Sequence, residues 1–366
     1  MNYKELVCFT GKCLNLDKLP DFRERIIRLA SESNVPWEDL VWLWDKSMIL
    51  PTLTIKISEN GLLPFLPEEL ALHLHQICRM NRDRNERLLR QAGRITSALN
   101  KAGICPVFLK GMANLMDNLY SDPGERIIGD IDLLVPEERF LESAEILRKM
   151  GYTTWQKVYG EIHHQMHYPI LLSEGEPAGV EIHRIPVTIS RLSAFTAEMI
   201  FASQKTVPDH PGCGVPSDEH KLIHTFLHGE IMNRGHCYHQ ISFRGLYDLL
   251  LLSERTDTGA IPPKTGYPRK AVSWLVLAGR VVGSPGKFYQ EEPPYARRYF
   301  YMYGLSLSFP VIHQAWVFLA KLMHLLFSRY AGLVFKAVVS KSHRQSIIQR
   351  LKDPDWYGEH LKSLFR

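Results

Sequence analysis

The sequence predicts an α+β protein: a small mixed β-sheet flanked by N- and C-terminal helical regions. Three observations predict it. Residues 1–95 and 186–366 carry apolar residues mostly at helical spacing. Between them, in 96–185, short β-rich runs alternate with helical patterns and are closed by Gly, Pro and Asp turn signals. That middle stretch is near the smallest size at which a core is self-sufficient, so its apolar helices need partners from both flanks.

In the N-terminal region, Asp21 to Ser31 places Phe22, Ile26, Ile27 and Ala30 at helical spacing. Pro36-Trp37-Glu38-Asp39 reads as a helix start, followed by Leu40, Val41, Leu43 and Trp44. Pro51, Pro64 and Pro67 punctuate. Glu68 to Lys101 then reads as one long amphipathic helix, or two short ones, stopped at Gly103. Its polar face carries Arg79, Arg82, Arg84, Arg87, Arg90 and Arg94, for which a solvated surface is the default expectation.

From Ile104 the texture changes. Pro106 to Leu109 is a short apolar run closed by Lys110-Gly111, and reads as a strand. Met112 to Tyr120 is helical, Ser121-Asp122-Pro123-Gly124 is a turn, and Ile127 to Val135 is a strand. Pro136 to Met150 is a helix stopped at Gly151. Tyr152 to Val158, Gln165 to Leu172 and Gly179 to Ile185 read as strands, the last two joined as a hairpin across Ser173 to Pro177.

Beyond Pro186 helices are expected over Ser190–Ser203, Asp218–Met232, Ser242–Ser253 and Ala271–Val281, with a loop over Thr256–Arg269. Tyr299 to Ala320 is free of formal charge and long enough to span a bilayer, but Gly304 and Pro310 break it and Ser306, Ser308, His313 and Gln314 make it polar. A buried or surface-packed helix is expected, not a span.

The 366 residues carry a formal net charge of +5, with 45% hydrophobic and 23% charged residues. That balance is globular and excludes a disordered or collagen-like chain. No dense Lys/Arg run suggests a nucleic-acid tail. The six cysteines are scattered, with no CxxC pair, and the N-terminus lacks the basic start, apolar run and cleavage site of a signal peptide. A reducing, cytoplasmic setting is expected.

The sharpest feature is Gly129-Asp130-Ile131-Asp132-Leu133-Leu134-Val135. Side chains alternate along a strand, so Asp130 and Asp132 point the same way, about 6–7 Å apart. Two carboxylates side by side repel, and unpaired burial is costly. A divalent cation resolves both, and magnesium prefers such oxygen ligands together with a phosphate. The alternative is that the acids cap a helix or meet arginines such as Arg126. Glu181, in Val180-Glu181-Ile182-His183, supplies a third acid on another strand-like segment. His183 shares its face, and is read either as a partner of the ligands or as a core histidine. Three acids on two neighbouring strands can hold two metal ions around a phosphoryl centre.

Several runs together resemble the uncharacterised nucleotidyltransferase family of the DNA polymerase β-like nucleotidyltransferase superfamily. They are Phe108-Leu109-Lys110-Gly111, Leu119-Tyr120, Asp122-Pro123, Arg126, the Gly129 to Val135 strand, Gly151-Tyr152, Val180 to His183, Leu227-His228 and Leu246-Tyr247-Asp248-Leu249-Leu250. The resemblance spans roughly residues 95–255. It implies transfer of a nucleoside monophosphate from a nucleoside triphosphate to an acceptor, with release of pyrophosphate. It also implies magnesium, or manganese in its place, held by Asp130, Asp132 and Glu181. The wider superfamily carries Gly-Ser before the acid strand. Here Lys110-Gly111-Met112 stands there, without the hydroxyl. Lys110, Gly111 and Arg126 are therefore the residues expected at the nucleotide, with a salt bridge as the rival role of Arg126.

Other readings stay open. The chain could be a catalytically inactive nucleotide-binding or regulatory protein of the same fold. His220, His224 and His228, at i, i+4 and i+8, could hold zinc for a hydrolase, although Lys221 stands where a zincin has Glu. His163, Gln165 and His167 would share a strand face. Arg244 and Asp248, one helical turn apart, are expected to pair. The acceptor is open among small molecules, peptides and proteins; nucleic acid is not indicated.

Overall fold

The computed structural model describes residues 1–154, 165–188, 195–324, 337–338 and 341–352. Four helices open the chain: α1 (Tyr3–Cys13), α2 (Pro20–Ser31), α3 (Trp37–Lys46) and α4 (Leu50–Glu59). Asn2 and Glu5 form a reciprocal capping box on α1, so two of the backbone donors that a helix start leaves open are satisfied. Trp44 in α3 is fully buried and donates its indole N–H to Oγ1 of Thr10 in α1 at 3.0 Å.

Helix α5 (Glu68–Lys101) is one continuous helix of 34 residues. It serves as a ruler for the loops that lead into the sheet. Asn81 and Asn85 donate to the carbonyls of Gly124 and Pro123 at 2.7 and 2.6 Å. Arg82 grips Asp122 with two nitrogens, at 3.0 and 2.5 Å. Arg84 donates to the carbonyls of Ile128, Gly129 and Pro177, Arg87 to that of Gly175, and Arg94 pairs with Glu176. Arg79, Arg87, Arg90 and Arg94 are exposed, as the solvated face expected from the sequence has it, while Arg82 and Arg84 are half-buried; Arg82, Arg84, Arg87 and Arg94 also act as clamps. Arg84 and Arg87 bind backbone carbonyls, which every residue carries and no sequence pattern announces, while Arg82 and Arg94 bind the carboxylates of Asp122 and Glu176.

The sheet contains β1 (Val107–Phe108), β2 (Ile131–Leu134), β3 (Val180–His183), β4 (Lys205–Thr206) and β5 (Gly214–Val215), in the order β3-β2-β1-β5-β4. β2–β3 and β1–β5 are parallel, while β1–β2 and β4–β5 are antiparallel. β4 and β5 were not anticipated. They lie beyond residue 186, so the sheet runs past the stretch in which the sequence pattern concentrates strands. Each is two residues long, too short to show alternation. The expected hairpin is present as paired backbone bonds: Leu171 and Val180 exchange theirs at 2.9 and 2.8 Å, and Tyr168 donates to Ile182 at 2.7 Å. Of the expected strand Tyr152–Val158, Thr153 bridges Leu172, and 155–158 lie outside the described residues.

Between and after the strands come α6 (Lys110–Met116), α7 (Phe140–Lys149), α8 (Ala197–Ala202), α9 (Asp218–Phe226), α10 (Gly235–Tyr238), α11 (Phe243–Leu252), α12 (Pro268–Val281), α13 (Pro294–Ser308), α14 (Pro310–His324) and α15 (Lys341–Lys352). α9 runs directly into a π-helical stretch, Leu227–Met232. The charge-free segment Tyr299–Ala320 is divided between α13 and α14, which bend by 113° at the break before Pro310. Among the described residues no single helix is long and apolar enough to cross a membrane.

A single apolar cluster runs from Leu6 in α1 to Leu307 in α13 and includes Phe108, Ile131, Leu133 and Ile182 of the sheet. Both helical flanks thus share a core with the sheet, as the small size of the middle region requires.

Candidate active site

Register brings the acids together. β2 and β3 run parallel with Asp132 opposite Glu181 and Leu134 opposite His183. Alternation sends Ile131, Leu133, Val180 and Ile182 into the core, all fully buried. The other face receives Asp132, Glu181 and His183. Their ligating atoms lie within 4.8 Å of one another. Nε2 of His183 is 2.8 Å from Oδ1 of Asp132 and 3.6 Å from Oε2 of Glu181. Lys110 reaches the same Asp132 oxygen at 2.6 Å.

Burial grades this cluster. The side chains of Asp132 and His183 are 2% and 0% exposed, whereas those of Lys110 and Glu181 are 23% and 20% exposed. Water therefore reaches the site past the lysine and the glutamate. Burial alone would raise the Asp132 carboxyl, but the hydrogen bond from His183 and the charge of Lys110 outweigh it and hold it well below the usual carboxylate range. Glu181 is lowered by its polar contact with His183, 3.6 Å away, against a burial penalty. Burial works to lower His183, yet bonds to Asp132 and Glu181 leave it raised. Asp130 stands on the approach to β2, half-buried, and is not one of the group within 4.8 Å. Burial and the Asp132 charge raise its pKa.

Lys110 opens α6, one residue after β1, and β2 holds that junction through the bond from Leu109 N to Asp132 O at 2.9 Å. Lys110 has φ of 52°, a left-handed conformation that is uncommon for a residue with a Cβ and costs about 1–3 kcal/mol. Gly111 does not share it; a Cβ there would sit 3.4 Å from Cγ1 of Ile128, an ordinary contact.

Arg126 is buried, and its guanidinium is occupied. It donates to Asp248 of α11 at 3.1 and 3.3 Å and to the carbonyl of Ile127 at 2.6 Å. Tyr120 donates to the same Asp248 at 2.8 Å. The expected Arg244–Asp248 pair is therefore not formed: Asp248 is taken by Arg126, which comes from the loop before β2. Arg244 has no hydrogen bond or ion pair among the described residues.

The histidine helix does not gather its three rings into one ligand group among the described residues. Nδ1 of His220 is 2.8 Å from Oγ of Ser203, and His224 packs on Phe195 with its ring 6.3 Å from that of His228. His163 lies outside the described residues. His167 pairs with His183 across the hairpin, ring centroids 5.2 Å apart, so it flanks the cluster.

Two facing carboxylates supply the hard oxygens that suit a divalent cation, and Nε2 of His183 can join them as a ligand only by giving up its bond to Asp132. Of the acids expected from the sequence, the structure brings Asp132 and Glu181 together. The residue that reading underrated is His183. Its signal was there: it follows Glu181 by two, on the same face of the strand.

A family model described as an uncharacterised nucleotidyltransferase matches residues 33–261. No curated protein and no solved structure matches this chain.

Proposed function

Because the chain belongs to that uncharacterised nucleotidyltransferase family, we propose that it transfers a nucleoside monophosphate from a nucleoside triphosphate to an acceptor and releases pyrophosphate. One observation carries the reading: Asp132 and Glu181 face each other in register on parallel strands, with a solvent-open side formed by Glu181 and Lys110.

Asp132 and Glu181 would hold the metal, with His183 within reach and Asp130 extending the acid set toward the approach to β2. A bound magnesium or manganese ion would neutralise charge on the phosphates and activate the acceptor oxygen. The chain's own groups do the rest. Lys110 brings a cation to the reacting phosphates, and Gly111 beside it leaves the backbone uncovered. Glu181, more exposed than Asp132, faces the acceptor side. His183 orients Asp132 through Nε2 and lies 3.6 Å from Glu181. We assign Arg126 a positioning role, supported by its bonds to Asp248 and Ile127 immediately before the acid strand.

The test is transfer of label. Each α-labelled triphosphate is incubated with the protein, magnesium or manganese, and cell extract. Label should move to a macromolecule or small acceptor with wild type and not with Asp132→Asn. Equal transfer by both proteins would overturn the reading.

A further inference from the structure

We infer that Arg244 anchors the terminal phosphates of the nucleoside triphosphate, a role that rests on the transfer reading above.

Helix packing aims this residue. α11 lies along α9, and a Cβ on Gly245 would touch Cγ2 of Thr225 at 3.5 Å. Arg244 and Asp248 share one face of α11, a turn apart. The position of that face is known at Asp248, whose carboxylate is bound by Arg126 and Tyr120 in the segment leading to the acid strand. Arg244 is thus carried toward the same segment. Two neighbours agree. Burial and the charge of Arg126 lower Arg244 while Asp248 and Asp130 act to raise it, and His228, one turn past Thr225, is lowered chiefly by burial and also feels Lys110, Asp132, His183 and Arg244.

Cations around the acids differ in what they have left to offer. Lys110 and His183 both spend hydrogen bonds on Asp132, and Arg126 spends its own on Asp248. Arg244 is half-buried, yet its guanidinium has no bond to any described residue. A planar donor fork without a carboxylate partner matches phosphate oxygens in two-point fashion. Partial burial of such a cation is unfavourable until an anion arrives. His228, pushed down to about 4 chiefly by burial, stays neutral beside it and adds no competing charge at neutral pH.

The experiment is calorimetric binding of each nucleoside triphosphate and its monophosphate, with manganese, to wild type, Arg244→Ala and Arg244→Lys. Arg244→Ala should weaken triphosphate at least about tenfold and change monophosphate by less than about twofold, with Arg244→Lys in between. The thermal midpoint of Arg244→Ala should stay within about 2 °C of wild type, because no partner is lost. Unchanged triphosphate affinity, equal loss for mono- and triphosphate, or a clearly lower midpoint would each overturn the anchor while leaving the transfer reading standing. A wild type that binds no triphosphate at all would remove both.

Discussion

Lys110 and His183 converge on one oxygen: Oδ1 of Asp132 lies 2.6 Å from the lysine ammonium and 2.8 Å from the histidine Nε2. A single buried carboxylate thus organises both the cation that follows β1 and the histidine that ends β3. Asp132 is 2% exposed and doubly bonded, so its loss reaches the fold as well as the site.

Asp132→Asn and Glu181→Gln should therefore differ in kind. Both should lower transfer by about a hundredfold or more. Only Asp132→Asn should also destabilise the protein, by about 3 kcal/mol, because it leaves Lys110 and His183 with a neutral partner in a buried setting. Glu181 is 20% exposed and its loss is met by water. Urea unfolding of the two variants checks this, and equal stabilities would contradict it.

At Lys110, two substitutions separate chemistry from backbone. Lys110→Ala and Lys110→Gly both remove the ammonium, so both should raise the nucleotide KM more than they lower kcat. Only glycine relieves the φ of 52°. Lys110→Gly should be more stable than Lys110→Ala by about 1 kcal/mol. A reversed order in chemical denaturation would show that the strain is illusory.

The buried Arg126–Asp248 pair invites a double-mutant cycle. Arg126→Met or Asp248→Asn alone should cost about 3–5 kcal/mol by stranding a buried charge. The double variant should cost less than the sum. Additive losses would mean that the two side chains do not act as a pair.

Glu230 gives the pH dependence. It is 4% exposed, and its Oε2 has no hydrogen-bond partner among the described residues. Burial pushes its carboxyl up to about 8. Between the ordinary value of 4.5 and about 8 the folded chain holds a proton that the unfolded chain has released, so stability falls as pH rises through that window. The loss is complete only above the folded pKa and amounts to roughly 4–5 kcal/mol at most. Glu230→Gln should flatten this slope relative to wild type in denaturation series from pH 5 to about 9. Parallel slopes would show that the group ionises freely in the fold.

Local physics was legible from the residues alone. Alternation in Ile131 to Leu134 and Val180 to His183 separated acid from apolar faces, and the structure keeps both. The Ser173 to Pro177 turn announced the hairpin. The strands β4 and β5 were illegible because two residues carry no period. The clamps of α5 were illegible because their partners lie far along the chain, from 40 residues for Asp122 to 93 for Pro177, and those of Arg84 and Arg87 are carbonyls without a sequence signature.

Residue identity by itself determined the α+β class, the acid-bearing strand faces and the helical flanks, since these follow from spacings of two and about 3.6 residues along a short piece of chain. Only the tertiary structure decided which charges meet. Asp248 could pair with Arg244 four residues away, yet it pairs with Arg126 across 122 residues. His183 meets Asp132 across 51. Sheet register and helix docking set those distances, and Coulomb attraction and desolvation act on distance in space, not on separation along the chain.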